Sequence, residues 1–140
     1  MRIACFLDTN VLIYAAAGKQ DDPRKFRIAE QIVGSELFGI SGQVLAEFYV
    51  NVLKKPTVPL SVPEAERWID LLCEYPVAAV DGGLVRQGID YARKFRITYW
   101  DAAIVAAAEL LHAPILYTED LNHDQFYGSV RVVNPFRPNE

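Results

Sequence analysis

The sequence predicts an α/β domain, a parallel sheet covered by helices on both faces. Three observations carry this. Residues 3–7, Ile-Ala-Cys-Phe-Leu, form an apolar run with no polar alternation, which suits a strand buried on both faces. Similar short apolar runs alternate with helical segments along the chain. No linker, repeat or low-complexity segment interrupts that alternation.

Each element follows from local signals. After the first strand at 3–7, a short helix over 11–17 has Asn10 as a candidate N-cap and Gly18 as its end. Asp22-Pro23 opens a second helix, proline being tolerated in a first turn. Its Phe26, Ala29, Ile32 and Val33 keep helical spacing. Residues 37–40 form the second strand, and Ser41 caps a helix that reaches Lys54 and is stopped by Lys55-Pro56. Ser61-Val62-Pro63-Glu64 has the Ser-x-x-Glu pattern of a capping box, and the helix it starts carries Ala65, Trp68, Ile69 and Leu72 on one side. A third strand spans 76–80. Asp81 then precedes a helix through Val85, Ile89 and Ala92 to Phe95. Thr98 caps an alanine-rich helix over 99–111, and strands at 114–117 and 130–133 complete a sheet of five.

Bulk properties set the class. At 140 residues the chain forms one domain, 1–140, able to bury roughly two-thirds of its unfolded surface. Hydrophobic residues make up 51% and charged residues 23%, as in a soluble globular protein. The net charge of −4 excludes bulk electrostatic binding to nucleic acid or anionic membrane, while leaving room for a local basic groove. Cys5 and Cys73 sit in apolar surroundings without CxxC or Cys/His spacing and read as small hydrophobes in a reducing compartment. Neither a secretory h-region nor a membrane-length apolar run is present, so a cytoplasmic location without membrane contact is expected.

Four acids are candidates for one place. In open α/β sheets ligands gather outside the carboxyl ends of the strands. Asp8 ends the first strand in "FLDTN", and Asp120 follows the fourth in "ILYTED". Asp101 lies in the first turn of the helix begun by Thr98, whose start faces the same rim. Its angular position puts it beside Ile104, Val105 and Ala108 rather than beside Ala103 or Leu110. Glu47 and Asn51 share the edge of the apolar arc formed by Val44, Leu45, Phe48, Tyr49 and Val52, where an unpaired acid is costly.

Singly, each acid has a plain structural role available: caps or turns for Asp8, Asp101 and Asp120, a lysine partner for Glu47. Jointly those roles fare worse. At about 5 Å and an effective dielectric of about 20, each carboxylate pair repels by roughly 3 kcal/mol. Protons or cations must hold such a cluster together. All-oxygen ligands suit Mg²⁺ or Mn²⁺, and such ions serve phosphodiester hydrolysis. No serine nucleophile motif, phosphate-binding glycine loop or Cys/His pair competes; Gly82-Gly83 is too short and follows a cap.

The stretches "FLDTNVLIY", "SGQVLAEFYVNV", "TYWDAAIVAAA" and "ILYTEDLN" resemble, in order and spacing, the motifs of PIN-domain nucleases, and most closely the VapC-like toxins of toxin–antitoxin systems. The resemblance runs to "VVNPF" and implies a three-layer α/β/α sandwich around a five-stranded parallel sheet. It implies metal-binding and catalytic acids at Asp8, Glu47, Asp101 and Asp120, with Asn10 and Thr118 orienting them or a water by hydrogen bonding. It further implies an Mg²⁺- or Mn²⁺-dependent endoribonuclease acting on RNA, a homodimer, and inhibition by a VapB-type antitoxin. The chain departs from many toxin relatives at Glu119-Asp120, where they carry a basic residue and then asparagine.

Other residues have weaker claims. Asp81 reads as an N-cap and His123 and Asp124 as a solvated loop. Arg93, Lys94 and Arg96 lie before the Asp101 turn, where phosphates approach. Tyr99 and Trp100 have the chemistry to stack on a base, but helical spacing assigns Trp100 to the core beside Ile104. A phospho-accepting receiver domain needs an acid pair after the first strand and a lysine after the fifth, and a haloacid-dehalogenase-type phosphatase needs Asp-x-Asp; here Asn10 stands in the second position. The remaining alternative is a PIN-fold module that binds RNA or a partner without significant catalysis.

Overall fold

The computed structural model describes residues 2–138. In chain order the elements are β1 (Cys5–Leu7), α1 (Thr9–Ala17), α2 (Pro23–Ser35), β2 (Phe38–Ser41), α3 (Gly42–Val52), α4 (Val62–Leu72), β3 (Val77–Ala78), α5 (Gly82–Phe95), α6 (Tyr99–Leu110), β4 (Ile115–Tyr117), β5 (Phe126–Tyr127) and β6 (Val130–Val133). The sheet order is β3-β2-β1-β4-β6-β5. The pairings among β3, β2, β1, β4 and β6 are parallel, and β5 runs antiparallel to β6.

Among the described residues the sheet therefore has six strands, not the expected five, and is not wholly parallel. β5 is two residues long, and a two-residue turn at Gly128-Ser129 joins it to β6. Gly128 has φ +61°, a left-handed conformation that glycine adopts without penalty. The Glu109 carboxylate fixes this turn by accepting hydrogen bonds from Ser129 N at 3.0 Å and Ser129 Oγ at 2.9 Å.

The helix starts at Ser41, Ser61, Asp81 and Thr98 follow the capping chemistry expected of them. The Ser41 hydroxyl accepts from Val44 N, the Ser61–Glu64 box closes in both directions, and Asp81 accepts from Leu84 N at 2.9 Å. At α1 the cap is Asp8, not Asn10: Asp8 is the extended residue (φ −73°, ψ 161°), and its carboxylate accepts from Thr9 N.

The core lies between the sheet and two packed sets of helices, α1 to α4 in one and α5 with α6 in the other. Phe6, Leu7, Phe38, Ile40, Leu116 and Val132 supply the sheet's buried faces. Helix α6 is buried from Ala102 through Ala108, all round rather than along one stripe. Ala103, expected on its outer side, packs against α5 at Gly88, where an added Cβ would stand 3.4 Å from the Ala103 Cα. Cys5 is buried as expected, whereas Cys73, at the end of α4, is exposed. Among the described residues no helix is long and apolar enough to cross a membrane.

Candidate active site

In the sheet, β1 is followed by β2 on one side while β4 lies on the other. The strand order reverses between β1 and β4, and a crevice opens at the carboxyl ends of such a pair. Leu7 pairs with Tyr117 in the parallel register, so Asp8 and Thr118 leave the sheet side by side. Asp8 N donates to the Tyr117 carbonyl at 3.1 Å.

Asp8 is only 7% exposed. One carboxylate oxygen accepts from Thr9 N at 2.7 Å, the other from Thr118 Oγ1 at 2.7 Å. Burial pushes its carboxyl up to about 6 despite those two hydrogen bonds, and the nearby charges of Asp120 and Glu47 push the same way. An ionised group here is held at a cost that a cation would remove.

Thr9 is the hinge of the site. Its amide serves Asp8, while its hydroxyl donates to Glu47 Oε1 at 2.7 Å. The partner that the half-buried Glu47 requires is therefore a threonine and not a lysine. Gln43 Nε2 adds a longer contact to Glu47 Oε2 at 3.4 Å. Gln43, Glu47, Asn51 and Lys55 recur every fourth residue and form one polar stripe along α3 and just past its end, all of it facing the cleft.

Asp101 sits half-buried in the first turn of α6, where Thr98 Oγ1 accepts from its backbone N–H at 3.2 Å. Asp120 is the more open acid. Its N–H donates to Thr118 Oγ1 at 3.1 Å, and Asn10 Nδ2 donates to its carboxylate at 3.1 Å. Partial burial raises its carboxyl above the ordinary range, followed by the charges of Asp101 and Glu119.

Asp8, Glu47, Asp101 and Asp120 all line one cleft of about 190 Å³, with Asn10, Asn51 and Lys55. Thr118 stands beneath it, fully buried. Among the described residues, no three acid, histidine or cysteine side chains are drawn tightly enough to hold an ion as they stand. Two features nevertheless match a hard divalent cation: every donor is oxygen, and Asn10 Oδ1 is a buried acceptor with no partner.

Other candidates fall elsewhere. Asp81 is the N-cap of α5. His123 accepts from Asn134 N at 3.0 Å and approaches Asp124 at 3.2 Å, away from the acids. Arg93, Lys94 and Arg96, at the end of α5, do not line the cleft. Glu119 is held by Lys25 at 2.7 Å and by the Tyr14 hydroxyl at 2.7 Å. Trp100, assigned to the core by spacing, is 64% exposed and lines the cleft mouth. Thr9, Gln43 and Lys55 also belong to the cleft without having been expected there; the four-residue spacing of the α3 stripe is the sequence signal for the last two.

The PIN domain family model matches residues 5–128. The chain belongs to the PIN domain family. No curated protein sequence matches it. Among solved structures, this PIN domain is similar to a toxin–antitoxin complex from Klebsiella pneumoniae (22% identity, 94% of this chain and 97% of that one, TM-score 0.67). It is similar to VapC20, a sarcin–ricin-loop-cleaving toxin of Mycobacterium tuberculosis (19% identity, 83% and 89% covered, TM-score 0.67). A third is VapBC2 from Rickettsia felis, bound to a promoter DNA fragment (16% identity, 91% and 96% covered, TM-score 0.60). At these identities the likeness is one of fold, and the PIN architecture extends over nearly the whole chain.

Proposed function

We propose that this PIN domain is a divalent-metal-dependent endoribonuclease, acting over residues 1–140 as one unit, and the toxin of a toxin–antitoxin pair. The observation that carries the nuclease reading is the convergence of Asp8, Glu47, Asp101 and Asp120 from four separate parts of the chain on one cleft. Unpaired carboxylates repel, so their gathering needs a compensating cation.

Those four acids would hold Mg²⁺ or Mn²⁺, with Asn10 completing the oxygen set. A bound ion of this kind supplies Lewis acidity toward a phosphodiester and lowers the pKa of a water. The protein's own residues do the rest. Thr9 and Thr118 fix the Asp8 and Glu47 carboxylates in position. Asn10 holds Asp120. Lys55 brings a positive side chain to the cleft lining, where it meets a phosphate.

The toxin role draws on the relatives: the Klebsiella and Rickettsia structures are toxin–antitoxin assemblies, and VapC20 is a toxin that cleaves the sarcin–ricin loop. By that analogy the partners are an RNA substrate, a VapB-type antitoxin and a second copy of the chain, in the cytoplasm. The Glu119 departure leaves the four-acid cleft in place: its side chain is paired with Lys25 and the Tyr14 hydroxyl outside the cleft lining, and its charge adds to the raising of the Asp120 carboxyl.

The test is incubation of the purified protein with mixed-sequence RNA in Mg²⁺ or Mn²⁺ and in EDTA. Cleavage only with metal is expected. Cleavage undiminished by EDTA, or none in either condition by a folded protein, contradicts the reading.

A further inference from the structure

Beside the acid cleft lies a larger apolar cavity of about 610 Å³. Val80, Leu84, Tyr99, Trp100 and Ala103 form its walls, and Gln43 and Glu47 stand where it opens into the acid cleft. The two spaces share Gln43, Glu47 and Trp100, so a chain whose phosphate lies over the acids continues directly into the cavity.

Trp100 is the unusual element. A tryptophan left 64% exposed forfeits apolar burial, and the residue sits immediately before the site acid Asp101. Its ring is held in place by Tyr99, at 5.1 Å between centroids and 75° between planes. Tyr99 is itself backed by Gly88 of α5, where any Cβ would stand 3.0 Å from the Tyr99 ring. The platform is thus braced from behind and open in front. At its polar end, Gln43 Nε2 makes two long contacts, to the Trp100 carbonyl and to Glu47, each at 3.4 Å. An amide so weakly engaged is free to turn toward a new partner.

We propose that this cavity receives an unpaired nucleobase next to the phosphate held at the acid cleft, stacked on Trp100 and read at its edge by Gln43. This rests on the nuclease reading above. A neutral flat ring with a hydrogen-bonding edge suits an aromatic wall ending in one amide. Among the described residues of the lining Glu47 alone is charged, and it is turned to Thr9. A duplex base, paired and stacked, cannot enter, so Trp100 and Gln43 act as determinants of which RNA segment is cut.

The experiment measures binding of a fluorescein-labelled single-stranded RNA by anisotropy in Mg²⁺, in an Asp8→Asn background, with and without Trp100→Ala or Trp100→Phe. Sedimentation and thermal melts are run on each variant, and RNA cleavage is measured with the native protein. Trp100→Ala is expected to weaken binding about tenfold or more, Trp100→Phe far less, and a duplex of the same sequence to bind no better than the alanine variant. Equal single-strand affinity of parent and Trp100→Ala, with native cleavage intact, overturns the base pocket and leaves the nuclease reading standing. Loss of affinity in Trp100→Ala with no native cleavage leaves the pocket and overturns the nuclease. Dissociation of a dimer by Trp100→Ala with RNA affinity unchanged assigns the patch to contact between copies and overturns the proposal.

Discussion

The Thr118 hydroxyl donates to Asp8 Oδ2 at 2.7 Å and accepts from the Asp120 N–H at 3.1 Å. One fully buried side chain thereby ties the end of β1 to the loop after β4 and sets two of the four acids relative to each other. Thr118→Val keeps the shape but leaves an Asp8 oxygen and the Asp120 amide without this partner. The expected cost is about 1–3 kcal/mol of stability, read by urea unfolding, together with a fall in RNA cleavage. Thr118→Ser is expected to restore most of both.

The raised carboxyl of Asp8 makes metal-free stability depend on pH. Its folded-state value near 6 lies above the 3.8 of a free aspartate, so the native state binds the proton more tightly. That contribution is fully present below pH 4 and is lost as pH rises through 6. It amounts to about 3 kcal/mol, and Asp120, also raised, acts in the same direction. Urea midpoints in EDTA are expected to fall between pH 4.5 and 7 in the native protein and to fall less in Asp8→Asn.

A cation reverses that penalty. Ligation needs ionised acids, so a divalent ion competes with the protons and binds the native state alone. Excess Mn²⁺ at pH 7 is expected to raise Tm over EDTA, with a smaller gain at pH 5 and little in Asp8→Asn. Identical melting curves in Mn²⁺ and EDTA contradict the cation-binding role.

The expected positions of Asp8, Asp101 and Asp120 at one rim were legible because strand ends and helix starts of an α/β sheet share an edge, and each acid abuts such a boundary. Glu47 was legible from its place at the edge of an apolar arc, where an acid needs a partner. Other features had no comparable signal. β5 is too short for periodicity, and one of its two residues, Phe126, is 62% exposed. Trp100 was misassigned because the all-round burial of α6 begins only at Ala102, and the first turn before it stands at the surface beside the cleft, where helical spacing does not report burial. The cap of α1 shifted from Asn10 to Asp8 because the extended backbone of β1 ends at Asp8 itself. Cys73 closes an amphipathic helix and falls on its outer side.

The most direct test of the metal-nuclease account is single-turnover cleavage of mixed RNA in Mg²⁺ or Mn²⁺ by the native protein, Asp8→Asn and Asp81→Asn. Asparagine at position 8 still caps α1 and removes a buried charge repelled by Glu47 and Asp120. The fold is expected to be as stable as before or slightly more so, and cleavage to fall to background. Asp81→Asn exchanges one good cap for another on an exposed residue away from the cleft and is expected to cleave like the native protein. Undiminished cleavage by Asp8→Asn, or loss confined to Asp81→Asn, would contradict the account.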